Sequence, residues 1–141
     1  MNVDIEEWAR GARPALRALI EELGGDVAAF DADPRTAEPV LDRFLARLPW
    51  QEFEAEDWGW LASQLVAYLA EVLRHERGGT WQAVQDAAAP DGWRPVVAVG
   101  EGAARHVDLS ALVYQELHPV PQRLPRMVAR ALALADEPAP R

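Results

Sequence analysis

DWGWLASQLVAYLAEVLRHERGGTWQAV, residues 57–84, decides how this chain is read. From Asp57 to His75 the residues Trp58, Leu61, Leu65, Tyr68, Leu69, Val72 and Leu73 recur at three- and four-residue intervals, the spacing of one helical face. Ala62, Val66 and Ala70 occupy the opposite side, so the helix is apolar over much of its circumference and is expected at the centre of the fold. Gly78-Gly79 stops it, and Thr80–Val84 then alternates with the period of a strand.

The flanks extend this pattern on both sides. Upstream, Ile5, Trp8, Ala12, Leu16, Leu19 and Leu23 predict a first helix, with Asp4 as its cap and Gly24-Gly25 as its stop. Pro14 interrupts it, and the unbroken register favours one kinked element over two. Residues 24–35 read as an acidic loop anchored by Phe30. Thr36 reads as the cap of a second helix carrying Val40, Leu41, Phe44, Leu45 and Leu48 and ended by Pro49.

Downstream, residues 93–99 and 104–107 predict two further strands, the first placed at an edge or bulge by Pro95, with a turn at 100–102. Asp108 caps a helix with Leu109, Leu112, Val113, Glu116 and Leu117 on its stripe, and a last helix spans 125–135. The expectation is a single α+β domain over 1–141: three N-terminal helices, a small antiparallel β-meander and two C-terminal helices. Residues 1–60 form an acidic helical front, 61–135 hold the central helix, sheet and C-terminal helices, and 136–141 are a tail expected to fray.

Composition narrows the function. The 141 residues are 50% hydrophobic and carry a net charge of −9, which argues against a general grip on nucleic-acid phosphates. There is no cysteine, so disulfide scaffolds and thiolate chemistry are excluded. All 14 basic residues are arginine. Residues 1–60 hold 14 acids against 6 arginines, a balance of −8, so the acidity belongs to the front. With neither an apolar leader nor an apolar run of membrane-spanning length, a cytoplasmic location is expected, with no membrane partner.

Three segments resemble a recurring, uncharacterised bacterial module found among immunity-like and toxin-neighbourhood proteins. They are Ala67-Tyr68-Leu69-Ala70-Glu71, Gly78-Gly79-Thr80-Trp81, and Val107-Asp108 followed by Leu109-Ser110-Ala111-Leu112-Val113. The resemblance covers residues 65–132, about half the chain, and implies a helix, a Gly-Gly-x-Trp turn, a short sheet and a further helix. Leu109 stands where the module has proline, and Ala70 where it often has glycine. No catalytic residue comes with it.

The candidate site is the stretch WQEFEAEDWGW, residues 50–60. Trp50, Glu52, Phe53, Glu54, Glu56, Asp57 and Trp60 interleave carboxylates with aromatic rings, as interfaces do when anchors sit inside a charged rim. Trp8, Trp58 and Trp81 read as core. The acids of the stretch are expected to gather with Glu21, Glu22, Asp26, Asp31 and Asp33 into one field that attracts a basic protein partner.

A non-catalytic, immunity- or antitoxin-like interaction module is the leading expectation, with no cofactor and no metal. An alternative is a small-molecule or enzymatic site between central helix and sheet, using Glu71, His75 and His106. Against it, Glu71 with Arg74 reads as an ordinary i, i+3 ion pair, and His106 with Asp108 as a strand residue followed by a cap. A third possibility is a homodimer seam formed by Trp60 and the last helix. The arginines 123, 126 and 130 read as a solvated face.

Overall fold

The longest helix, α4 (Ala55–Arg77), is buried without interruption from Gln64 to Ala70, so it presents no solvent face there. These coordinates are a computed structural model, which describes residues 5–89 and 91–137 apart from the side chains of Glu6 and Trp8. Burial all round follows from side chains that are apolar or small on both sides of the helix and from backbone bonds that close within it. Packed around α4 are α1 (Ile5–Glu22), α5 (Leu109–Leu117), α6 (Leu124–Asp136) and strand β2 (Trp93–Val99).

The sheet is antiparallel, in the order β1 (Thr80–Gln85), β2, β3 (Arg105–Val107). Trp81, Val97 and Val107 lie opposite one another across it and are all buried. The α+β architecture is therefore as the periodicities predict. The Asp4 cap, the side chain of Trp8 and residues 138–141 of the tail lie outside the described residues.

Several details differ from the sequence reading. Residues 24–35 are not all loop: Asp26 accepts the Ala29 N–H at 3.0 Å and opens α2 (Val27–Ala32), which buries Phe30 completely. One capping bond and one buried ring suffice to hold a helix too short to show a period. Thr36 is not a helix cap. Its hydroxyl donates to the Asp33 carbonyl at 2.8 Å, inside a 3-10 turn (Pro34–Ala37) that leads into α3 (Glu38–Arg47). Pro95 lies on the central strand rather than an edge strand. It pairs with Ala83 on β1, while β3 reaches only Val97–Val99, so Pro95 occupies a stretch with a neighbour on one side alone. By contrast, helix α1 is one element through Pro14, as its unbroken register predicts.

The glycine pair after α4 serves two ends. Gly78 adopts φ +64°, the left-handed conformation that ends a helix. A Cβ on Gly79 would meet Val97 Cγ1 at 2.6 Å, so the chain passes β2 more closely than any side chain permits. Further up α4, the buried Tyr68 hydroxyl donates to the Pro34 carbonyl at 3.1 Å, tying the 3-10 turn to the central helix.

Candidate functional site

The stretch 50–60 folds as a 3-10 turn (Trp50–Glu52), a short extended link and the first turns of α4. Pro49 cannot continue α3, and the Glu52 and Phe53 amides close the turn onto the Pro49 and Trp50 carbonyls at 2.9 and 3.2 Å. Asp57 accepts the Glu54 N–H at 2.9 Å, so its carboxylate holds the start of α4. Glu52, Glu54 and Glu56 are exposed, and among the described residues neither they nor Asp57 form an ion pair within 4.0 Å.

The aromatic residues split between two sides of α4. Trp58 is half-buried; its ring stands 5.0 Å from Phe53 and 5.1 Å from His118, and His118 is 4.7 Å from Tyr114. Trp60, two residues on, turns to the other side and meets the Phe44 ring edge-on at 6.2 Å while staying 44% exposed. Trp50 is half-buried. The residues expected at the site thus share one end of the molecule, with Trp60 the most open of the rings in 50–60.

Tyr114 and His118 join the same end through the Trp58 ring and were not legible as site residues. Tyr114 is 68% and Val120 45% exposed, and both are apolar or aromatic groups that a closed core would bury. Tyr114 falls off the α5 stripe, which is the one signal that marks it.

The acidic field is smaller than expected. Asp31 is clamped by Arg17 through two bonds of 3.1 and 3.0 Å and by Arg13 at 2.9 Å. Asp33 lies 3.9 Å from His75, near the far end of α4, about 27 Å along the helix from Asp57. Those two acids therefore do not belong to the 50–60 surface.

Glu71, His75 and His106 do not form one centre. Glu71 is mostly buried and sits 3.4 Å from both Arg13 and Arg74, the ion pair its spacing predicts. His75 is exposed beside it, while His106 lies on β3, two strands across from Thr80, and borders a different depression. Asp108 accepts the Ala111 N–H at 3.0 Å and receives Arg94, so it serves as a cap. Between central helix and sheet there is a cavity of about 330 Å³, lined by Ala12, Ala15, Ala62, Val66 and Pro95 with Ser63, Gln64 and Ser110. Among the described residues none of its lining side chains is ionisable.

The arginines of α6 are not a free basic face. Arg126 and Arg130 both donate to the buried Glu116, at 2.9 and 2.7 Å, and Arg123 pairs with the buried Asp42. Each reaches an acid on another element, which helical spacing alone does not reveal. Among the described residues no three His, Asp or Glu side chains come together in a metal-binding group, and no helix is long and apolar enough to cross a membrane. The chain matches no protein-family model, no curated protein and no solved structure.

Proposed function

We propose that the protein is a non-catalytic interaction module that binds a basic protein through the end of the molecule formed by residues 50–60 and Tyr114. The supporting observation is the contrast in how carboxylates are used. Asp31, Asp42 and Glu116 are all bonded to arginines, whereas Glu52, Glu54 and Glu56 are exposed in the same stretch as exposed Trp60 and have no arginine partner among the described residues, Glu54 serving only in the capping box of α4. Unpaired surface charge speeds encounter with an oppositely charged partner, and an exposed indole supplies an anchor that buries on contact. The resemblance of residues 65–132 to immunity-like modules points to the same kind of role, capture of a basic toxin-like protein.

The test is a binding series with an arginine- and tryptophan-bearing basic peptide and its acidic counterpart. The wild-type chain binds the basic peptide at low salt, and binding weakens as salt screens the charges. Glu52→Gln, Glu54→Gln and Glu56→Gln together slow association, while Trp60→Ala speeds dissociation. An unchanged association rate in the triple variant at low salt would overturn the reading. Dimers seen by light scattering that dissociate on Trp60→Ala would assign this surface to self-association instead.

A further inference from the structure

Arg105 takes the core-facing side of β3, the side shared by Val107, and its side chain is only 13% exposed. Among the described residues the one carboxylate within 4.0 Å of it is that of Glu137, with 3.8 Å between Nη1 and Oε2, and that glutamate is 59% exposed. Nη2 is shut off from water and has no hydrogen-bond acceptor among the described residues. A guanidinium withdrawn from solvent is costly unless an anion compensates it. The nearby acids are already engaged: Asp108 holds Arg94, and Glu116 holds Arg126 and Arg130.

Beside Arg105 a cavity of about 290 Å³ opens between β3, α5 and the end of α6. Leu112 and Leu134 give it an apolar wall, and Gln115 a polar rim. We propose that this cavity binds a small organic monocarboxylate, with its carboxylate on the Arg105 guanidinium and its carbon body against Leu112 and Leu134. With Nη2 shut off, a carboxylate meets Nη1, the nitrogen that faces Glu137, through a charge-assisted N–H···O bond, and its charge compensates the withdrawn guanidinium. The apolar wall favours a ligand with a carbon body, which inorganic phosphate lacks. Glu137 already brings a carboxylate to this place, and at 3.8 Å it is too distant for a hydrogen bond, so a ligand displaces it without breaking one. The site lies apart from the 50–60 stretch and does not depend on its role.

The experiment is a titration of the full chain with benzoate, followed by amide and guanidinium NMR signals, with benzamide and inorganic phosphate as parallel arms. Benzoate produces saturable shifts at Arg105 and Gln115, benzamide produces none, and phosphate binds more weakly. Arg105→Gln weakens benzoate binding about tenfold or more, the weight of a charge-assisted bond. Glu137→Gln tightens it about threefold by removing a competing exposed carboxylate. No saturable shift in the wild-type chain overturns the proposal, as does benzamide or phosphate matching benzoate. If Arg105→Gln does not fold, Glu137→Gln decides, and an unaltered affinity there overturns it.

Discussion

Asp42 on α3 caps a helix that begins 82 residues later: its carboxylate accepts the Leu124 N–H at 3.0 Å and the Arg123 Nε–H at 2.9 Å. Arg123, at the cap position of α6, makes no side-chain cap of its own, so the open amides of that helix are met from another element. A negative group at this end also suits the helix dipole. The same contact fixes where α6 crosses α3.

Removing that cap is expected to destabilise the fold. Asp42→Ala strands the buried Leu124 amide and should cost about 1–3 kcal/mol in urea unfolding. Arg123→Ala leaves the amide bond in place and removes a side chain that is 69% exposed, so its loss should be smaller than that of Asp42→Ala. Equal losses in the two variants would show that the ion pair, not the amide cap, holds the helix.

Acid should weaken the protein through the same residue. The hydrogen bonds from Arg123 hold the Asp42 carboxyl below its ordinary 3.8, with the Leu124 amide adding to the effect and burial opposing it. A carboxyl lowered in the folded state contributes stability that is complete above its unfolded value and is lost as pH falls through the folded one. Stability measured by urea unfolding should therefore decline below about pH 4. Asp42→Asn should flatten that decline.

Alkali acts through Tyr68. Burial pushes its hydroxyl pKa well above 10.0, with the Glu38 charge acting in the same direction. The neutral form is favoured by folding, so its contribution is intact below pH 10 and diminishes above it. Ultraviolet titration should show Tyr68 ionising only as the chain unfolds, a late step missing from Tyr68→Phe. The same variant loses the bond to the Pro34 carbonyl, worth about 1 kcal/mol.

The two glycines after α4 should fail for different reasons. Gly78→Ala meets nothing within 4 Å but is held at φ +64°, at a cost of about 1–2 kcal/mol. Gly79→Ala drives a methyl group into Val97 and should cost about 1–3 kcal/mol. Val97→Ala should relieve part of the second loss and none of the first, as thermal melts of the paired variants would show.

Neutralising Glu52, Glu54 and Glu56 should leave the fold standing. Their side chains are exposed and bear no ion pair among the described residues, and glutamine at 54 keeps the oxygen that accepts the Asp57 N–H in the capping box, so the loss is confined to charge at the α4 N-terminus, about 0.3–1 kcal/mol for each acid near it. A melting temperature that collapses in the triple variant would mean these acids are structural.

The sequence by itself determined the elements and their chain order. Caps such as Asp108, stops such as Gly78 and periods such as Leu61–Leu65–Leu69 act within a few residues, so their meaning is present in the local order. Even the short α2 has a local signature in Asp26, although its six residues are too few to show a period. Tertiary structure alone decided which charges are occupied. Asp42 with Arg123 and Arg13 with Asp31 pair across long stretches of chain, and Glu116 meets Arg126 and Arg130 only because α6 folds back on α5. No spacing rule marks such partners, because a carboxylate attracts whichever guanidinium the packed core brings within reach.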